Sequence, residues 1–412
     1  MRTERLGDLG SPAAVLRALA AGSRAAGLAP PAALAGEWFG SRAVIAPSVE
    51  VRPVDPAEVF AVAPGDAEGP VGGGWIGYLS YPDPGADGAP PRIPVAAGGW
   101  TDCVLRLDRD GDWWFESLSG ATAPGWIADA LAAEPASGHC TITWQSPDEE
   151  SHREGVLACL EAIGAGEVYQ ACVCTQYTGV SSGDPVHFFA DAITATTPAR
   201  AAYLAGDWGA VASLSPELFL RRNGEHVSSS PIKGTLPLHA DPAVLRASVK
   251  DVAENIMIVD LVRNDLGRVA RIGSVTVPEL LAVRPAPGVW HLVSTVAAQV
   301  PVDLSAADLL DATFPPASVT GTPKERAREL LSLWEPRRRG VYCGSVGLAS
   351  PIAGCELSVA IRTVEFDPRG LAVLGVGGGI TADSEPPAEW RECLDKAAAI
   401  VGAYAAGAYV DR

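Results

Sequence analysis

Ser215-Pro-Glu-Leu-Phe-Leu-Arg-Arg-Asn-Gly-Glu-His-Val-Ser-Ser-Ser-Pro-Ile-Lys-Gly-Thr-Leu-Pro237 reads as two short strands folded about an Asn223-Gly224 turn. A two-residue hairpin needs positive φ at its centre, and Asn-Gly adopts that conformation readily. Strands joined this way are antiparallel, which points to sheets built from hairpins. Glu217 enters the first strand, and Lys233 follows the second on a Pro-Ile-Lys-Gly-Thr corner. Proline fixes the backbone before the lysine, and Gly234 leaves room for close approach after it. Such a lysine is either a solvated turn residue or a working amine, and the stretch alone leaves both open.

Outward from this hairpin the pattern repeats. Residues 104–107 and 113–118 flank Asp108-Arg-Asp-Gly111, and residues 357–366 and 371–376 flank Asp367-Pro-Arg-Gly370. Residues 72–81 are a glycine-rich apolar strand that another backbone approaches closely, followed by a Pro/Gly/Asp loop at 82–92. Ser11-Pro12 starts a helix as N-cap and first-turn proline, and a second helix runs over 151–163 until Gly164 and Gly166. The Pro/Ser/acid-rich residues 132–150 connect a mixed region at 1–131 to a region at 151–412, the two forming one compact unit. Internal repeats and regular strand-helix-strand alternation are absent, so the class is α+β with antiparallel sheets. Gly377, Gly378 and Gly379 end a strand, but no Gly-x-Gly-x-x-Gly opens a helix after them, which argues against a dinucleotide site.

The chain has 412 residues, 48% apolar and 19% charged, enough for a large soluble core. A net charge of −18 argues against nucleic acid or an anionic membrane surface as partner. An anionic small substrate would need a local exception: a divalent cation or a few buried bases. The first residues lack a signal-peptide core, and no apolar run approaches membrane-spanning length. Eight cysteines without Cys-x-x-Cys spacing suit a reducing compartment, so the expected location is cytoplasmic.

Two acidic helices stand out. Asp251 and Glu254 lie three apart on a helix from Lys250 to Gly267, hence on one face. Glu389 and Glu392 repeat the spacing on a helix opened by Glu385-Pro-Pro. One such pair is ordinarily a solvated face, but two beside apolar runs can meet around a hard cation. Magnesium uses few carboxylates and leaves positions for substrate oxygens. Arg362, in an apolar Ala-Ile-Arg-Thr strand, needs a carboxylate or phosphate partner, structural or ligand. Tyr342 could share that ligand. His291 interrupts an apolar strand, as a satisfied core histidine or a catalyst. Phe314-Pro-Pro-Ala-Ser-Val-Thr-Gly-Thr-Pro-Lys runs into a helix N-terminus suited to an anion.

Together, Ser-Pro-Glu-Leu-Phe, Pro-Ile-Lys-Gly-Thr, Asn-Ile-Met-Ile-Val-Asp-Leu-Val-Arg-Asn-Asp-Leu-Gly-Arg-Val, His-Leu-Val-Ser-Thr-Val, Ser-Val-Thr-Gly-Thr-Pro-Lys and Ala-Ile-Arg-Thr resemble the chorismate-utilising enzymes. That family includes anthranilate synthase, aminodeoxychorismate synthase, and the isochorismate and salicylate synthases. The resemblance covers most of 146–405, with a looser match at Gly-Gly-Trp-Ile-Gly-Tyr-Leu. It implies large antiparallel sheets in a sandwich-like core with helices outside. It also implies chorismate as substrate and Mg2+ as cofactor, with Glu254 and Glu392 as direct ligands and Asp251 and Glu389 as an outer pair. Arg362 and Tyr342 would hold the enolpyruvyl carboxylate, helped by Gly377, Gly378, Gly379 and Ser318, with Lys396 near the same end and Thr235 beside the substrate. Glu217 resembles the general acid for the departing C4 hydroxyl, with His291 close by.

Two positions separate family members. Gln170 stands where the water-adding members carry a lysine base, and an amide cannot deprotonate water, which disfavours isochorismate or salicylate formation. Lys233 stands where anthranilate synthases resemble this motif with alanine. A lysine desolvated beside a bound substrate becomes nucleophilic. The resemblance therefore implies attack of Lys233 on C2, ammonia addition at C4, and 4-amino-4-deoxychorismate as product. Anthranilate or 2-amino-2-deoxyisochorismate formation is the alternative, and a silent chorismate-binding subunit is a third. Cys172, Cys174, Pro316, Ala317 and Glu356 depart from the family pattern. No glutamine amidotransferase segment is recognisable, so a separate glutaminase subunit is expected to supply ammonia.

Overall fold

The computed structural model describes residues 1–82, 90–133, 138–286 and 289–402. Among them the strands form two antiparallel sheets, of 12 and 10 strands. Apolar residues alternate at period two and so cover both faces of the larger sheet. Ala33 and Ala35 of the strand Ala32–Trp38 face helices Pro12–Ala25 and Pro185–Thr196, against Leu16, Leu19, Phe188 and Phe189. Ala32 and Leu34 point the other way and meet Ile76, Tyr78, Val346 and Leu348 of the smaller sheet. The outer face of the smaller sheet, with Phe219, Val227, Val296 and Leu357, is covered by Ile258, Val259 and Val262 of the helix Val249–Gly267. Each fully buried Leu, Ile or Phe stabilises this sandwich by about 1.5–3 kcal/mol. The sandwich-like α+β architecture is therefore the one the resemblance implied.

Both sheets draw strands from both halves of the chain. Ala32–Trp38 pairs with Arg200–Gly206, and Gly74–Leu79 with Ser345–Ser350. Within the expected connection, Cys140–Gln145 is a strand paired with Gln170–Gly183, so the described part of that stretch is built into the larger sheet. The loop expected at 82–92 lies largely outside the described residues, as do 134–137 of the connection and 403–412 at the end.

Two local expectations need correction. Residues 357–366 are not one strand: Gly354–Val359 belongs to the smaller sheet and Thr363–Phe366 to the larger. The chain changes sheet through Ala360, Ile361 and Arg362, and Arg362 takes φ +52 at the crossing. The run is buried except at the half-buried Ile361 and Arg362, and no Gly, Pro, Asn or Asp marks the break. Lys233 likewise sits within a strand, Ile232–Pro237, paired with Val289–Gln299. The register shifts between Ile232 and Thr235, and Gly234 at φ +83 absorbs the bulge.

Candidate active site

The hairpin Leu218–Asn223 and His226–Ser230 forms as its Asn-Gly turn dictates, and it feeds Lys233 into the bulged strand. Glu217 precedes the first strand and Lys233 lies in the last, so both face one cavity of about 570 Å3. Thr235, His291, Ser318, Tyr342, Arg362, Gly377, Gly378, Gly379, Lys396, Asp251, Glu254 and Glu392 line the same cavity. Gln170 and Glu389 do not. Gln170 is buried at the head of its strand opposite Thr322, with its side-chain oxygen unpartnered. Glu389 lies beneath the wall, 2% exposed.

Each helix delivers its acids by its own start signal. Ser248 caps Val249–Gly267 by accepting from the Asp251 amide, which puts Asp251 in the first turn and Glu254 one turn on. Pro386 and Pro387 open Pro386–Val401 behind Glu385, putting Glu389 and Glu392 in the same relation. Fully buried Asn255 fixes the first helix against the sheet: it donates to the Leu292 carbonyl at 3.2 Å and accepts from Ser294. At the other end Lys324 is buried against Asp265 at 2.6 Å and the carbonyls of Thr313 and Pro315. The expected anion-holding turn is thus pinned by its own lysine. Only Ser318 and Val319 from it reach the cavity wall.

Three lysines face the acids. Lys233 Nζ lies 3.8 Å from Glu254, Lys250 Nζ 3.2 Å from Glu389, and Lys396 Nζ 2.7 Å from Glu392. Among the described residues no three His, Cys, Asp or Glu side chains stand close enough to hold a metal ion. Yet Glu389 Oε2 is buried with no hydrogen-bond partner. Burial, with Glu392 and Asp251 nearby, raises Glu254 above the usual range against the pull of Lys233 and Lys250. Glu392 goes the other way: burial raises it, but Lys396, Lys250 and Lys233 together bring it below the usual range.

Glycines let the strand Leu371–Ile380 form the floor. A Cβ on Gly379 would stand 3.2 Å from Lys233 Nζ, and one on Gly375 2.2 Å from the Tyr342 ring. Tyr342 and Arg362 are brought together by paired loops: Cys343 N–H donates to the Ala360 carbonyl and Ala360 N–H to the Gly344 carbonyl. Arg362 is half-buried and makes no ion pair or side-chain hydrogen bond among the described residues. Burial lowers its pKa, as it must for an uncompensated cation. A lining arginine without a carboxylate is a site for an anionic ligand.

Glu217 is 5% exposed and burial pushes its carboxyl up to about 7, against opposing pulls from Ser318 and Lys233. The Ser318 hydroxyl is buried without a hydrogen-bond partner among the described residues. A carboxyl that holds its proton near neutrality can serve as a general acid. Burial, with Arg362 nearby, pushes His291 down to about 4, and Thr235 Oγ1 meets its Nδ1 at 3.0 Å. So held, the imidazole lines the cavity in its neutral form. Sequence reasoning missed Lys250 and Asp395 in the wall, whereas Cys172, noted only as a departure from the family pattern, also lines it. For Lys250 the signal was present, as the base immediately before Asp251.

The matches to other proteins follow this geometry. The model of the chorismate binding enzyme family matches residues 53–402. Aminodeoxychorismate synthase component 1 of Klebsiella aerogenes is 42% identical over 279 residues, covering 66% of this chain and 62% of that protein. Its namesake from Escherichia coli K12 is 43% identical over 264 residues, 62% of this chain and 58% of that protein. The chain thus spans about three fifths of the length of these relatives. Among solved structures, anthranilate synthase component I from Streptococcus pneumoniae aligns with a TM-score of 0.70 at 25% identity, covering 84% of each chain. With its family model spanning most of its length, this chain belongs to the chorismate binding enzymes.

Proposed function

We propose that this chain converts chorismate and ammonia to 4-amino-4-deoxychorismate, as the component 1 relatives are named for doing. One observation carries the reading: the Lys233 amine, the protonatable Glu217 and the unpaired Arg362 line one cavity. Arg362 and Tyr342 bind the enolpyruvyl carboxylate. The Lys233 amine bonds to C2, the two conjugated ring double bonds each shift one position towards C4, and the C4–O bond breaks. The hydroxyl leaves as water with the proton of Glu217. Ammonia then bonds to C4, both double bonds shift back, and the C2–N bond to Lys233 breaks. A proton lost by the new ammonium restores Glu217, so the sum is chorismate plus ammonia to product plus water.

Mg2+ fits the acid set by chemistry: four oxygen donors, with the orphaned buried Glu389 Oε2 among them. Glu254 and Glu392 would hold it, with Asp251 and Glu389 behind. Bound there, it would neutralise the ring carboxylate. Ammonia comes from a glutaminase subunit, a reading supported by the "component 1" in the relatives' names.

The solved neighbour favours a second reading, in which ammonia adds at C2 and anthranilate results. Product identification decides between them, by mass spectrometry and anthranilate fluorescence, with and without glutaminase. Lys233→Ala should lower aminodeoxychorismate formation on the order of 10³-fold or more. Wild-type rates in that variant would rule out the covalent route, and fluorescent product from the unaltered enzyme would rule out the C4 assignment.

A further inference from the structure

Lys250, Lys233 and Lys396 all approach the acids, but they are held differently. Lys396 is fixed twice, to Glu392 and to the Gly377 carbonyl at 2.8 Å. Lys233 lies deep in the cavity, its side chain 13% exposed. Lys250 is anchored by a single hydrogen bond, to Glu389 Oε1 at 3.2 Å, and its side chain is 43% exposed. Glu389 cannot follow it outward. Its side chain is 3% exposed, and Oε1 also accepts from Ser384 Oγ at 2.6 Å. The pair also joins the two acidic helices across a gap that like charges would otherwise push apart.

We propose that Lys250 is a displaceable counter-ion: it neutralises Glu389 while no divalent cation is bound, and gives way when one arrives. The proposal rests on reading the four acids as a cation site. A divalent ion among these carboxylates repels the nearby ammonium. Lys250 has solvent on one side and swings out, whereas Glu389 stays and turns its charge to the cation. Holding the cation-free state together and weakening cation binding are then one coupling, which works in both directions.

The test uses EDTA-stripped protein with Mg2+ titrated calorimetrically, Mn2+ binding followed by electron paramagnetic resonance, and melting with and without Mg2+. Lys250→Met should bind Mg2+ about 3- to 10-fold more tightly than wild type, the size of one partly exposed charge interaction. It should also melt lower in EDTA and gain more from Mg2+. Lys250→Arg should stay near wild type, and the difference should shrink in about 1 M KCl, where screening is short-ranged. Equal or weaker Mg2+ binding by Lys250→Met overturns the exchange while leaving the cation site intact. Absence of Mg2+ binding in wild type and variant alike overturns the cation site and the exchange with it. Should Lys250→Met unfold in EDTA, refolding on Mg2+ titration supports the exchange, and failure to refold at any concentration overturns it.

Discussion

Between the sheets, Glu356 accepts from Arg200 at 2.8 Å and Arg221 at 2.7 Å, and beyond the helix Lys324–Trp334 the buried Arg339 meets Glu335 at 2.7 Å. In and just beneath the cavity wall, Arg362 meets no carboxylate among the described residues, burial pushes the Glu217 carboxyl up to about 7, and Glu389 leaves one oxygen unpartnered. Both regions bury charge, and burial alone would mark neither as functional. What differs is completion. A buried ion that finds its partner within the chain serves the fold, and one left incomplete is waiting for a ligand.

The sharpest way to break this contrast is to disturb both kinds of charge and compare the damage. Glu356→Ala leaves Arg200 buried and unpaired, so it should cost about 3–5 kcal/mol of unfolding free energy in urea. Turnover per folded molecule should be unchanged. A loss under 1 kcal/mol would show the sheet interior tolerating an uncompensated cation, and the division would collapse. Arg362→Met should do the reverse. Losing a charge-assisted contact to substrate should raise KM about 10²-fold. Stability should hold or rise, because a half-buried cation without a partner has been removed. Destabilisation on the scale of Glu356→Ala would move Arg362 to the structural set.

Arg362 also shows where sequence reading stops. Residues 357–366 run apolar up to the Asp367-Pro-Arg-Gly370 turn and read as one strand, and most of them are buried. Changing sheets leaves both sides buried, so the apolar pattern passes through the crossing unmarked. The positive φ of Arg362 is a property of that crossing, not of the residue types. Lys233 reads as a corner residue for a related reason: Pro-x-x-Gly reads as a turn, and only the register against Val289–Gln299 makes it a bulge. The acidic helices were legible because spacing, caps and the proline start are local signals. Their approach to one another is not local, so the sequence shows Lys250 beside Asp251 but not its pairing with Glu389, 139 positions away.

Glu217 sharpens the comparison further, since it is as buried as Glu356 yet has no arginine. Burial holds its carboxyl at about 7 instead of 4.5, so the folded enzyme grips the proton more firmly than the unfolded chain. The sign follows: its favourable contribution to stability is full below about pH 4.5 and fades as pH rises through about 7. Glu217→Gln should therefore gain stability relative to wild type above neutrality, and lose that advantage in acid. Catalysis runs the same way, because a general acid acts only while protonated. The kcat/KM of the unaltered enzyme, which reports the free protein, should fall about tenfold per pH unit above neutrality. The residual activity of Glu217→Gln should lack that limb. A wild-type profile flat from about pH 6 to 9, the range a carboxyl near neutrality must titrate across, would mean the C4 hydroxyl takes its proton elsewhere. Glu217 would then rank with the acids of the sheet interior, buried for the fold and silent in the chemistry.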